Sequence, residues 1–188
     1  MTVVVSGVPG VGASRVCERA RRDLGDEYTL INFGDIMLEE ALEHGLTDSR
    51  EGLSALPVRD QRTLQRRAGE YVARKAAEGP LLVNTHLVIH TDHGFIPGLP
   101  SGVRTDVNPS AFVVVDAPVD TIQQRRQESE RAYLDEGRGA VEFYRHLQSA
   151  AAFTYSAASD VPVRYVSNDE LDEAGDRLVT LVEDIPHP

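Results

Sequence analysis

The stretch Gly7-Val8-Pro9-Gly10-Val11-Gly12-Ala13-Ser14 matches the phosphate-binding loop pattern G-x-x-x-x-G-K-[ST] at every position except the lysine, which is Ala13. Such a loop needs a buried strand before it and a helix after it, so it constrains the surrounding fold. Thr2–Ser6 is a β-branched run that reads as a buried strand, and Arg15–Leu24 reads as the helix behind the loop. Gly7, Gly10 and Gly12 let backbone N–H groups converge on an anion, and the helix N-terminus adds a favourable dipole. The plainer alternative is a strand-to-helix glycine turn with no ligand, but the glycine spacing favours the anion cradle. Ser14 is placed to supply a hydroxyl to Mg²⁺; otherwise it is simply a helix N-terminal residue. Ala13 keeps the cradle and removes its fixed point charge.

Further strand-like runs occur at Tyr28–Asn32, Leu81–Asn84, Ala111–Asp116 and Val161–Val166. Helix-like segments separate them at Ile36–His44, Val58–Glu78, Val119–Arg131, Ala140–Ala158 and Asn168–Glu183. This alternation predicts an α/β fold, a five-stranded parallel sheet flanked by helices. Gly94–Pro109, rich in proline and glycine, reads as a structured loop, and Asp135–Gly139 as a flexible turn. In such sheets ligands sit at the carboxyl ends of the strands, which places Asp35, Asn84, His86 and Asp116 near the glycine loop.

At 188 residues the chain reads as one domain. Its net charge of −11 argues against nonspecific nucleic-acid binding, which needs a basic surface. No run approaches the roughly 20 apolar residues of a membrane span, and the first strand begins at once; both lead us to expect a cytoplasmic protein without a signal peptide. Cys17 is the single cysteine, which excludes an internal disulfide and reads as a small buried hydrophobe. Among nineteen lysines and arginines, Lys75 is the only lysine, and its place on a surface helix makes it a poor substitute for the missing one.

Beyond the loop, the segments Asn32-Phe33-Gly34-Asp35-Ile36-Met37-Leu38, Thr85-His86, Gly94-Phe95-Ile96-Pro97-Gly98-Leu99-Pro100 and Asn108-Pro109-Ser110 follow in order. With them the chain resembles, nearly end to end, the archaeal-type adenylate kinases of the P-loop nucleoside monophosphate kinase group. The resemblance implies a single P-loop kinase-like domain with a helical AMP-binding segment around 33–79 and a short lid around 129–139. It also implies ATP and Mg²⁺ as cofactors, transfer of the ATP γ-phosphoryl to AMP, and a trimer. Under it Gly7, Val8, Pro9, Gly10, Val11, Gly12, Ala13 and Ser14 cradle ATP, and Asn168 lies in the turn beside the adenine. Ser14 and Asn84 face the metal; Asp35, His86 and His90 face the substrate; and Arg131 joins Ser14 in catalysis.

Five positions depart from that family's pattern. The loop lysine is Ala13, the strand-end aspartate is Asn84, and an arginine after the AMP segment falls on Ser54. A further arginine or lysine falls on His90, and the second lid arginine on Tyr133. Each change removes a charge that would face phosphate or metal. Phosphoryl transfer consists largely of placing anions and neutralising charge, so the expectation is weakened turnover with nucleotide binding retained. The alternatives are a nucleotide sensor without turnover, or a kinase with another acceptor.

Several candidates carry a plainer reading beside the functional one. Arg15 lies about 200° around the helix from Ala13, so it is expected to point away from the cradle. Asn84 either orients a metal-bound water or is a polar strand end. Asp35 is also explained as a helix cap, and His86 as a structural histidine. His86, His90 and His93 show no zinc spacing. Arg125, Arg126, Arg131 and Arg138 contact phosphate or pair with Glu128, Glu130, Asp135 and Glu136. Arg59, Arg62 and Arg66 read as a solvated helix face.

Overall fold

The computed structural model describes residues 1–129, 133 and 137–186. Strand β1 (Thr2–Ser6) leads through the glycine loop into α1 (Ala13–Leu24). Strand β2 (Thr29–Asn32) runs directly into α2 (Phe33–Glu43), followed by α3 (Arg50–Ala55) and α4 (Val58–Ala76). Strand β3 (Leu81–Thr85) precedes a hairpin of β4 (Val88–Thr91) and β5 (Gly94–Pro97), then α5 (Ser101–Val107). Strand β6 (Ala111–Asp116), α6 (Val119–Gln127), α7 (Arg138–Ser159), β7 (Val163–Ser167) and α8 (Leu171–Glu183) follow.

The main sheet has the order β2-β3-β1-β6-β7 and is parallel throughout. Strand β1 is central, and the period of two divides its side chains between two cores. Val3 and Val5 face one side with Leu82, Val113 and Val115, packed against α1 and α8 through Val16, Cys17, Ala20, Leu178 and Leu181. Val4 faces the other side with Val83, Phe112 and Val114, under α2, α4 and α5 through Met37, Leu64, Ala68 and Val103. Strands covered on both faces have no polar side to show, which explains the unbroken valines. Cys17 is fully buried, and burial pushes its thiol well above the ordinary range, as expected of a packing residue.

The predicted five-stranded parallel sheet is present, with corrections at element ends and in one long segment. Gly94–Pro109 is not a single loop, since it holds β5 and α5. These elements are too short for periodicity to reveal: β5 has four residues, and α5 has seven and closes at Asn108 with φ 45°. Helix α3 is a further addition to the expected elements, and Ser49 Oγ accepts from Gly52 N–H at 3.1 Å as its cap. The helix expected over Val119–Arg131 ends at Gln127, and the one expected from Asn168 begins at Leu171, because Asn168 is held by its backbone and side chain. Most of the lid expected at 129–139 lies outside the described residues.

One polar knot ties the link between β3 and β4 to α7 and to the end of β1. Gln148 of α7, 2% exposed, accepts from Ser6 Oγ, Leu87 N–H and Val88 N–H at 3.1, 3.0 and 3.3 Å, and donates to Val88 O at 3.0 Å. Tyr144 and Tyr155 hydroxyls donate to Val88 O and Leu87 O at 2.8 and 3.1 Å. A buried group left unpaired carries its full desolvation penalty. Gln148→Leu is therefore expected to lower unfolding free energy by about 2–3 kcal/mol, measured as a shifted urea midpoint at unchanged slope.

Candidate functional site

The loop leaves the carboxyl end of β1, the central strand, and borders a cavity of about 690 Å³. Val8 and Val11 turn inward and anchor it to the core at 3% and 1% exposure. Gly10 and Gly12 have φ of 90° and 89°, a conformation that side-chain-bearing residues rarely adopt. Gly12 caps α1, so the free N–H groups of that helix's first turn open beside the loop.

From the sequence-derived set, Val8, Pro9, Gly10, Gly12, Ala13, Ser14, Asn84, His86 and Asn168 border this one cavity. Gly7 and Val11 stand behind it as backbone supports. Asp35 and His90 are not on its wall. Asp35 is ion-paired with Arg50, and His90 stacks on Phe95 with ring centroids 4.3 Å apart. Arg131 lies outside the described residues. Arg15, expected to point away, borders the cavity with Glu18, because the cavity runs past the loop along the first turns of α1. Ser54 is not on the wall. Lys75 pairs with Glu78 at 2.8 Å, and Arg59, Arg62 and Arg66 are exposed as expected of a solvated face.

The arginines carry most of what sequence reasoning missed. Arg50, from the unforeseen α3, reaches the N-terminus of α2 and borders the cavity. Its guanidinium lies where Gly34 has no side chain: a Cβ there would stand 2.8 Å from Nη1. Arg125 donates to Val11 O and Asn168 O, each at 3.0 Å. Arg126, 8% exposed, donates through Nε to Pro9 O at 2.8 Å, with Cζ 4.8 Å from the Tyr133 ring centroid. Arg138 instead pairs with Asp120 and, at 3.1 Å, with Glu142. The doublet Arg125-Arg126 in the last turn of α6 was the available signal, but not its target, since a main-chain carbonyl has no sequence signature.

The polar wall is equally specific. His86 holds Gly7 O at 2.7 Å through Nδ1, which must carry the proton because a carbonyl only accepts. Asn168, 2% exposed, donates through Nδ2 to Val11 O at 2.7 Å, and its Oδ1 is buried without a hydrogen-bond partner among the described residues. Asn84 donates through Nδ2 to Ser14 Oγ and to Asn32 Oδ1, both at 2.8 Å.

That last pair bears on Mg²⁺. Ser14 is exposed and offers a hydroxyl oxygen, but its neighbour presents an amide N–H₂ rather than a carboxylate. Mg²⁺ usually binds through one or two carboxylates together with substrate phosphates and water. The residues here fit a cation that arrives with a polyphosphate and is held by Ser14, and they provide no anionic cage of their own.

A family model described as an AAA domain matches residues 6–139. The chain is 35% identical to the adenylate kinase of Pyrococcus furiosus over 96% of its own length and 94% of that protein's. It is 36% identical to the adenylate kinase of Methanocaldococcus jannaschii, over 96% and 97%. The adenylate kinase of Methanopyrus kandleri is likewise 36% identical, over 97% and 98%. Among solved structures, a sugar kinase from a Janibacter species superposes with a TM-score of 0.56 at 16% identity, covering 97% of this chain and 94% of that one. A gluconokinase from Sinorhizobium meliloti gives 0.52 at 17%, covering 99% and 97%. At such identities these two speak for the fold alone.

The orientation of Asn84 yields a prediction. Pyrophosphate binding should depend only weakly on Mg²⁺ in the native chain, and Asn84→Asp should make it Mg²⁺-dependent by roughly tenfold or more, as a carboxylate draws in the cation. Calorimetric titrations with Mg²⁺ and with a chelator measure both; equal Mg²⁺ dependence in the two proteins would contradict the reading.

Proposed function

The chain belongs to the adenylate kinase family, and on that premise we propose that it transfers the γ-phosphoryl group of ATP to AMP. The observation that carries this reading is the shape of this cavity. One wall is the glycine loop with the first turn of α1; the other is formed by Asn32, Phe33, Gly34 and Met37 at the β2–α2 junction, with Arg50 above it. Two anionic partners can thus face each other across one space.

The donor lies along the loop, its β-phosphate against the loop amides and its base toward Asn168 and Leu171. The acceptor lies at the β2–α2 wall. A phosphate oxygen of AMP forms a bond to the γ-phosphorus as the bond from that phosphorus to the β–γ bridging oxygen breaks, leaving two ADP. When bound, Mg²⁺ neutralises charge across the phosphates, and the Ser14 hydroxyl would hold it. The chain's own contribution is positioning and charge: oriented amides on the donor, and on the acceptor the Arg50 guanidinium, held by Asp35 through one nitrogen and keeping other donors for a phosphate.

A second reading, nucleotide binding with slow or absent turnover, is favoured by Ala13 and by the amide of Asn84 at Ser14. Preorganised donors contribute about 10²–10³ in rate each, though groups that act together are not additive. A coupled assay of ADP formation separates the two. The first reading expects ADP only with ATP and AMP together, at about 1–100 per second. The second expects a far smaller rate that Ala13→Lys raises at least tenfold.

The role given to Arg50 is testable in the same assay. Arg50→Gln should raise KM for AMP roughly tenfold, with KM for ATP nearly unchanged, because a charge-assisted contact to a phosphate is lost. An unaltered KM for AMP would remove Arg50 from the acceptor site.

A further inference from the structure

Three carbonyls of the loop, at alternate residues, are each held from outside the loop. His86 Nδ1–H donates to Gly7 O at 2.7 Å and Arg126 Nε–H to Pro9 O at 2.8 Å. Val11 O receives two bonds, from Arg125 Nη1 at 3.0 Å and Asn168 Nδ2 at 2.7 Å. No cis peptide occurs among the described residues. In a planar trans peptide the C=O of one residue and the N–H of the next point in opposite directions. Holding the carbonyls of residues 7, 9 and 11 therefore sets the N–H groups of Val8, Gly10 and Gly12, turned away from the clamps. Those three residues all border the cavity.

We propose that Arg126, Arg125 and His86 are positioning residues that preorganise the loop amides for phosphate from the carbonyl side. The loop's grip on an anion then comes through oriented peptides and does not require an ammonium at position 13. The packing is close: Arg126 Cγ lies 2.7 Å from where a Cβ on Gly10 would stand, so its stem lies flat on the loop. A guanidinium against a carbonyl also polarises the peptide in the sense that strengthens its N–H as a donor. Arginine suits this task because its fixed fork of donors can hold two carbonyls at once, as Arg125 does with Val11 and Asn168.

This inference rests on the reading of the cavity as a nucleotide site, and the experiment separates the two. Inorganic pyrophosphate is titrated into the ¹⁵N-labelled full chain, and the amide resonances of Val8, Gly10 and Gly12 are followed. The native protein should respond at all three. In Arg126→Met the Gly10 response should vanish, that of Gly12 should persist, and pyrophosphate affinity should fall roughly tenfold. Adenosine affinity should stay within about twofold, since the base makes no use of these amides. The loss should survive 1 M salt, where the Debye length is about 3 Å, because a hydrogen-bonded clamp is not screened as a distant charge is.

If Arg126→Met fails to fold, Arg125→Met combined with Asn168→Ala removes the Val11 clamp, and only the pyrophosphate affinity and the Gly12 amide response are read, because Asn168 also faces the base. An unchanged Gly10 response with pyrophosphate affinity within about twofold of native overturns the proposal, as does a loss that 1 M salt abolishes. A native chain whose amides ignore pyrophosphate altogether overturns the nucleotide-site reading as well.

Discussion

Everything about this site follows from burying one parallel sheet on both faces. With α1 and α8 on one side and α2, α4 and α5 on the other, β1 has no solvent face, and its valines alternate between two dry cores. Polar chemistry is thereby driven to the strand ends. The carboxyl end of β1, the middle strand, is flanked by those of β3 and β6, and all three neighbouring ends carry polar residues: Ser6, Asn84 with Thr85, and Asp116. The loop emerges where backbone can be exposed without leaving the core's support, since Val8 and Val11 still reach back into it.

The parts legible in the sequence were those with a long period or a fixed spacing. β1, β6 and the great length of α4 and α7 stood out because burial on both faces, or on one helical face, imposes a pattern over many residues. The loop was legible because glycine spacing states a backbone conformation directly, as the φ of Gly10 and Gly12 bear out. What stayed hidden was short or non-local. β4, β5 and α5 each turn within a few residues, and their stability comes from contacts such as Gln65 Nε2 to Pro97 O at 2.9 Å, 32 positions apart. The loop carbonyls that Arg125 and Arg126 hold lie more than a hundred residues away and are main-chain atoms, so no spacing rule points to them.

The charge pattern becomes coherent in this light. The surface is acidic, with a net charge of −11, yet the cavity gathers Arg15, Arg50 and Arg125, while Arg126 stands behind the loop. Lysine is a mobile point charge that would have to reach into the cradle to be useful. Arginine, with several donors, can be pinned to carbonyls or to a carboxylate and still keep N–H groups free. In the proposed reading, a chain with a single lysine builds its anion site from the outside of the loop and from α3. On that reading its cations act by fixing geometry as well as by adding field, and only the field is screened by salt.

One strand-end carboxylate could have undone this arrangement. Asp116 terminates β6, and its carbonyl accepts from Asn168 N–H at 2.7 Å, the residue that also holds Val11 O, so a single residue separates this acid from the loop. An uncompensated carboxylate there would repel an incoming phosphate and would itself be costly to desolvate. Arg145 of α7 answers it in bidentate fashion, Nε to Oδ1 at 2.7 Å and Nη2 to Oδ2 at 2.5 Å, and this bonding raises the guanidinium's pKa further, so the charge is permanent. The pair is largely shielded, with side-chain exposures of 28% and 18%, so water screens it less than it would a surface pair. Its consequence is electrostatic silence at the end of β6. The field felt at the loop then comes from the charges along the cavity wall, Arg15, Glu18, Arg50, Arg125 and Glu128, with Arg126 behind the loop, and the Asp116 charge on the strand beside them is balanced by Arg145.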